Sequence, residues 1–157
     1  MSWRGIQEGG LIIRSIVPQD IERNRLDSLI QKRIKTLPRI AQLTESNVYE
    51  WLTKVKALPG AEIIVAEDPL RTQLPGVFVA VPTNLLGDSV ALMADLMIVC
   101  TDPTALRMMA EEMERRAKEN GCKGMMMTCE ASNSDAASRW ASRFGMHLVA
   151  MTCFKEI

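Results

Sequence analysis

The stretch ALMADLMIVCTDPTALRMMAEEM, residues 91–113, decides the fold. Its first ten residues are almost all apolar, which predicts a buried strand over Ala91–Cys100. Asp102 and Pro103 are residues typical of a helix N-cap and a first helical turn, so a helix should begin there. Apolar residues then recur at helical spacing as far as Gly121, a natural C-terminal stop. A strand followed directly by a long amphipathic helix is thus the centre of this fold.

The rest of the chain supplies the other elements in a regular order. Apolar periodicity, helix caps and Pro or Gly residues at element ends predict the other elements. In the first half these are a strand at Leu11–Val17, helices from Pro18 to Leu37 and from about Thr44 to Leu58, and strands at Ala61–Ala66 and Gly76–Val81. After the strand Ala91–Cys100 and the helix Pro103–Asn120 come a strand at Met125–Cys129, a helix ending at Phe144 and two final strands. The predicted order is β-α-α-β-β-β-α-β-α-β-β. Residues 1–10 lack periodicity and are predicted to be an N-terminal arm, which leaves residues 11–157 as a single domain.

Charge and cysteine usage narrow the class of protein. The 157 residues carry 19 basic and 19 acidic side chains, so the formal net charge is zero. Neither nucleic acid nor an anionic membrane is expected as a partner, because both select a basic face. No metal site is predicted, because the four cysteines lack metal-ligand spacing and the sequence has a single histidine, His147. We expect a cytoplasmic protein with reduced thiols.

Three local stretches carry a resemblance to a known family. They are the opening strand and helix start LIIRSIVPQD (11–20), the short strand Ile64–Asp68 followed by Gly76–Val79, and the closing helix SDAASRWASRFGM (134–146). In this order the chain resembles the GNAT superfamily of acyl-CoA-dependent N-acetyltransferases over essentially its whole length from Leu11. The resemblance implies an α/β (α+β) fold: a mixed, mostly antiparallel sheet with helices on both faces, splayed between its fourth and fifth strands.

The resemblance also implies where a cofactor would bind. In that family a glycine-bearing loop after the fourth strand lets backbone N–H groups at a helix start hold the CoA pyrophosphate. The matching stretch here, CTDPTALRM (100–108), has no glycine. Pro103 has no backbone N–H to donate, and Asp102 places a negative charge where a phosphate would lie. We therefore interpret Asp102 or Thr101 as an ordinary helix N-cap. The remaining candidates for contacts with CoA are Ile98, Val99, Cys100, Thr104 and Arg107.

The family's catalytic groups are also incomplete in this chain. The general acid is usually a tyrosine in the last helix, where this chain has Trp140 and Ala141, and its only tyrosine is Tyr49 in another predicted helix. A tryptophan cannot deliver a proton at neutral pH. Asp95 in the fourth-strand region is the candidate general base, since a carboxylate in an apolar strand can acquire a raised pKa. The alternative is that Asp95 simply faces solvent on one side of the pleat.

These observations predict a GNAT-fold protein that no longer acetylates and serves as a binding or assembly component without a cofactor. Its partner would be another protein or a second copy, with Trp3 of the arm as an anchor. Small GNAT-like proteins with eroded sites occur among tailed bacteriophages, where they are linked to virion assembly, and the resemblance extends to a virion location. One alternative is an active N-acetyltransferase that uses acetyl-CoA. Another is a thiol-based regulator that uses Cys100 or Cys122.

Overall fold

In a computed structural model, the chain is described at residues 6–36, 43–85, 90–128 and 134–147. It divides into two compact units, Met1–Met126 and Met127–Ile157. Within its described residues the second unit contains one helix, at Ser134–Phe144. The two final strands that the sequence predicts and the anchor residue Trp3 lie outside the described residues.

The first unit contains a mixed sheet. Its elements are β1 (Ile6–Glu8), β2 (Leu11–Ser15), α1 (Pro18–Glu22), α2 (Asp27–Thr36), α3 (Glu45–Lys56), β3 (Glu62–Glu67), β4 (Gly76–Leu85), β5 (Val90–Cys100), α4 (Pro103–Glu119) and β6 (Gly124–Met126). The six strands lie side by side in sequence order. Every neighbouring pair is antiparallel except β5 and β6, which are parallel. The predicted mixed, mostly antiparallel sheet is confirmed.

Helices cover both faces of this sheet. On one face, Val65, Val77 and Val99 join a core that also contains Leu29 of α2 and Leu52 of α3. Side chains alternate between faces along a strand, so Gly76 and Phe78 point to the opposite face. A Cβ atom at Gly76 would lie 2.7 Å from the Met109 side chain of α4, which places α4 on that second face. The two layers of helices are therefore separated by the sheet, as the sequence predicts.

The predicted helix from Pro18 to Leu37 is interrupted, and this prediction of a single helix is wrong. The chain forms α1 and α2 with a turn between them, in which Asn24 has a φ of 52°. The N–H of Leu26 donates to the Tyr49 hydroxyl oxygen at 3.1 Å instead of to a helical carbonyl. Asn tolerates the left-handed conformation better than other side chains, which allows the turn here. The apolar residues keep their helical spacing across this turn, so periodicity alone does not show the break.

The sheet includes more residues than the sequence predicts: β4 is longer, and β1 is an additional strand. The sequence predicts a strand that ends at Val81, but β4 continues through Pro82 to Leu85 and pairs with β5 throughout, including Pro82↔Met93. Because β3 pairs with β4 only as far as Ala80, a missing N–H at Pro82 costs little on the side that β3 leaves open. Within the predicted arm, Ile6–Glu8 forms the edge strand β1 against β2.

The charged side of α4 is partly buried. The Glu112 side chain is 1 % exposed and accepts hydrogen bonds from Arg115 and Arg116. Arg116 in turn donates to Ser15 Oγ at 2.7 Å and to Glu62 Oε2 at 2.8 Å. This network joins α4 to β2 and β3. Periodicity in the helix does not predict it, because the partners of Arg116 lie on strands that are distant in the sequence.

A second buried ion cluster fixes the start of α1. The guanidinium of Arg14 donates to both Asp20 oxygens, at 2.7 and 2.8 Å, and the Val17 N–H donates to the same carboxylate at 2.9 Å. Arg25 donates to Glu67 Oε2 at 2.6 Å, and Arg14 does so at 3.1 Å. Burial alone would raise the pKa of Asp20, but the hydrogen bonds from Arg14 and Val17 and the nearby Arg25 charge hold it below the ordinary value of 3.8. The hydrogen bond from Arg14 lowers the pKa of Glu67 as well.

The ion cluster predicts loss of stability in acid. A carboxyl group with a lowered folded-state pKa binds its proton more readily in the unfolded chain, so its stabilisation is present above the unfolded pKa and disappears as pH falls through the folded pKa. Asp20 and Glu67 should therefore contribute fully at pH 6 and progressively less below about pH 4. Urea unfolding at pH 6 and at pH 3 measures the difference. Equal free energies of unfolding at the two pH values would contradict this prediction.

Candidate ligand site at the open edge of strand β5

A bulge lies in the middle of β5. The ladder with β4 pairs Val79 with Met97 but Ala80 with Asp95, so Leu96 is an extra residue on β5. A bulge adds local twist and bends its strand away from regular pairing. Asp95 shares the α4 face with Ala80 and is half-buried beside this bulge. Its proposed role as a general base stays a prediction.

Beyond the bulge, one side of β5 has no partner strand among the described residues, and we call it the open edge. Pairing with β6 covers three residues and ends at Ala94↔Met126, while β5 continues to Cys100. The Thr101 N–H donates to Pro75 O at 2.9 Å, towards β4. Successive residues of a strand direct their backbone groups to opposite sides, so Cys100 and Ile98 point theirs away from β4. In the described ranges no strand pairs with β5 along this part of the edge.

Val99 is placed differently from Ile98 and Cys100. Its backbone groups face β4, and its side chain lies in the core under α2 and α3. Of the three strand residues that the sequence nominates for CoA contacts, the alternation therefore brings two to the open edge. Sequence alone could not separate them, because the register against β4 sets the direction of each N–H.

The N-terminus of α4 is occupied by its own cap. The Asp102 carboxylate accepts from Thr104 N at 2.8 Å and from Ala105 N at 3.4 Å. Pro103 at the first helical position has no N–H to donate. The donors that could hold a phosphate are thus taken or missing, as expected for an N-cap aspartate. Of the two candidates, Asp102 and not Thr101 is the cap.

Thr104 and Arg107 both lie in the first turns of α4, at the end of β5. Thr104 is exposed, and Arg107 pairs with Glu111 one turn further along, at 3.1 Å. Arg115 has helical i, i+4 spacing from Glu111 but binds Glu112 and Glu119 instead. Any anion bound by Arg107 would compete with the Glu111 carboxylate.

A lysine that the sequence did not nominate reaches the open edge. Lys32 of α2 donates from Nζ to the Cys100 carbonyl oxygen at 2.9 Å. The two residues are 68 positions apart in the chain. The only signal in the sequence was the basic last turn of this helix, which the helix dipole explains by itself. Lys32 therefore adds a cation at the junction of β5 and α4.

The two described thiols are poor nucleophiles. Burial raises the pKa of the Cys100 thiol, which donates to the Asp102 carbonyl oxygen at 2.9 Å. Burial also raises the pKa of Cys122. A thiol with a raised pKa stays protonated at neutral pH, while the thiolate is the reactive form. This geometry disfavours the thiol-based regulator among the functions that the sequence allows.

The sequence also singles out Tyr49, Trp140 and His147. Tyr49 is buried between α2 and α3, where its hydroxyl donates to Asp27 Oδ1 at 2.6 Å, which is a structural role. His147 is exposed and belongs to the second unit. The side chain of Trp140 lies outside the described residues. Across the described ranges, no three His, Cys, Asp or Glu side chains are grouped as a metal site would require.

Comparison with solved structures identifies the fold. A glucosamine-6-phosphate N-acetyltransferase from Arabidopsis thaliana matches with a TM-score of 0.70 at 14 % identity, covering 93 % of this chain and 97 % of that one. A GNAT family acetyltransferase from Staphylococcus aureus matches with a TM-score of 0.67 at 14 % identity over 94 % and 98 %. This chain has the GNAT fold. A third match, with a TM-score of 0.68 at 14 % identity over 100 % and 99 %, is the aminoglycoside N-acetyltransferase AAC(6')-Iy in complex with CoA.

Comparison by sequence, unlike comparison by structure, found no match. No family model matches this chain. No curated protein matches it either. The described helices include none that is long and apolar enough to cross a membrane. The comparisons therefore establish the fold, and the function has to be argued from the residues of this chain.

Proposed function

We propose that this chain is a GNAT-fold binding protein, a component of a protein assembly, that has lost the phosphate-binding part of an acetyl-CoA site. The observation that carries the proposal is the Asp102 carboxylate on the N–H groups of Thr104 and Ala105. A pyrophosphate at this helix start would have to displace a bonded carboxylate and would meet its negative charge. The absence of a glycine from residues 100–108 supports the same proposal.

An active N-acetyltransferase is the second candidate. The bulge at Leu96 and the backbone groups of Ile98 and Cys100 on an open edge favour it, because an extended, amide-bearing cofactor arm could bind there. Asp95 beside the bulge would then act as the base on an acceptor amine. The CoA complex of AAC(6')-Iy belongs to a protein of the same fold and makes acetyl-CoA the cofactor to test.

Isothermal titration calorimetry with acetyl-CoA separates the two candidates. We expect binding weaker than micromolar for the wild-type chain. Asp102→Gly should strengthen it by about tenfold, about 1.4 kcal/mol, because the charge and the bonded carboxylate are both removed. Asp102→Asn keeps the cap oxygen and removes only the charge, so its effect should be smaller. Arg107→Ala should weaken whatever binding Asp102→Gly creates.

Tight binding of acetyl-CoA with acetyl transfer would overturn the proposal. Submicromolar affinity of the wild-type chain for acetyl-CoA, together with acetyl transfer to an amine, would make the chain an enzyme. Glycine at an N-cap costs only a few tenths of a kcal/mol relative to the best caps, so Asp102→Gly should stay folded. Equal melting temperatures of wild type and variant provide that control.

As part of the same proposal, the partner is a protein or a second copy of this chain. The formal net charge of zero supports it, since no long-range repulsion keeps copies apart. A place in the virion of a tailed bacteriophage rests on the resemblance in size and in the missing glycines; a cytoplasmic location is the alternative. Light scattering on the full chain should show a species larger than a monomer at tens of micromolar. A monomer under those conditions would remove self-association from the proposal and leave a different protein as the partner.

A further inference from the structure

Along the open edge of β5, the distance between successive outward-facing backbone groups is the one that a pairing strand requires. Ile98 and Cys100 are two residues apart, which in a strand is about 7 Å. Their N–H and C=O groups point away from β4, and no described strand covers them beyond Ala94↔Met126. An uncovered row of this kind is a template for pairing with another extended chain of amides.

Apolar side chains lie where this edge begins. Leu96, the bulge residue, is 42 % exposed, and Met126, at the end of β6, is 38 % exposed. They lie on the two strands that separate here: Met126 is the β6 member of the last pair, and Leu96 lies two residues beyond its partner Ala94 on β5. A chain lying along the edge would remove this apolar surface from water while it satisfies the backbone groups.

Lys32 lies where the edge ends, beside the first turns of α4, where Arg107 is paired with Glu111. Lys32 Nζ donates to Cys100 O, and its ammonium group has three N–H donors, so two have no partner in the described ranges. One ammonium group suits one carboxylate, whereas a pyrophosphate needs several donors and the nearby helix start is already capped by Asp102. The charge at this end therefore favours a carboxylate over a phosphate.

We propose that the open edge of β5 binds an extended peptide by strand addition, with an apolar side chain over Leu96 and Met126 and a carboxylate at Lys32. The N–H and C=O of Ile98 and the N–H of Cys100 provide the hydrogen bonds, and the two ends of the edge provide the selectivity. This inference rests on the proposed function, because a CoA site would use the same edge for its cofactor. It names the chemical class of partner that a binding or assembly component would take.

The test is selection of random peptides displayed on phage against the full chain, followed by synthesis of an enriched sequence. Enriched peptides should share apolar residues at alternate positions, with Asp or Glu at one end of that stretch. Addition of the synthetic peptide should slow amide hydrogen exchange at Ile98 and Cys100. Leu96→Asp and Lys32→Glu should each weaken peptide binding by about tenfold or more, as loss of a central anchor does.

Two matched variants control for general effects of surface charge. Leu70→Asp changes a leucine that is 94 % exposed in the connection between β3 and β4, and Lys118→Glu changes an exposed lysine at the far end of α4. Both should bind the peptide like wild type. The inference is overturned if no common pattern is enriched, or if binding is insensitive to Leu96→Asp and Lys32→Glu. Tight acetyl-CoA binding would instead overturn the proposed function, so the two failures are distinguishable.

Discussion

Replacing Arg14 by alanine should lower the free energy of unfolding by about 3–5 kcal/mol, because it leaves a buried carboxylate without its main partner. The Asp20 side chain is 1 % exposed and receives both guanidinium donors of Arg14. What remains is the Val17 N–H and a longer contact of 3.3 Å from Arg25. Urea unfolding at pH 7 measures the loss.

The matched control for Arg14 is Arg71. Its ion pair with Asp68 spans 3.8 Å and its side chain is largely exposed, so Arg71→Ala should leave the unfolding midpoint nearly unchanged. Adding Asp20→Asn to the Arg14→Ala variant should recover part of the stability, since a neutral amide is cheaper to bury than a charge. A loss below about 1 kcal/mol in Arg14→Ala would show that water or Arg25 replaces the missing guanidinium.

Phe78→Ala should destabilise the protein by about 3–5 kcal/mol through the cavity that it leaves in β4. Phe78 is fully buried on the α4 face, between its cross-strand partners Ile64 and Ile98. Phe78→Leu, which keeps most of the apolar volume, should cost much less, roughly 1–2 kcal/mol. Differential scanning calorimetry on the three proteins gives the comparison.

The Phe78 variants also test the candidate site. Ile98 is one of the two residues on the open edge, so a cavity beneath it should loosen that edge and weaken peptide binding more than the Leu variant does. Equal melting temperatures for Phe78→Ala and wild type would contradict the burial of this side chain. Unchanged peptide affinity in a destabilised variant would show that the edge is held by β4 and α4 without support from the core.

Local sequence signals were sufficient for the strand Val90–Cys100 and the helix Pro103–Glu119. Both elements lie where apolar periodicity and the residues Asp102 and Pro103 predict them, because these signals act within one helical turn or one strand. The absence of a glycine from residues 100–108 could also be seen directly in the sequence. From the sequence, the GNAT fold and the capped helix start could both be predicted.

The tertiary structure decided which of those residues form a site. Lys32 meets Cys100 across 68 positions, and the register against β4 directs Ile98 but not Val99 to the open edge. The burial of Glu112 likewise depends on Arg116 reaching Ser15, 101 positions away. Periodicity describes one element at a time, whereas these contacts depend on how the elements pack. The sequence by itself therefore determined most of the elements and the absence of a glycine near the start of α4, and packing alone determined the open edge and its cation.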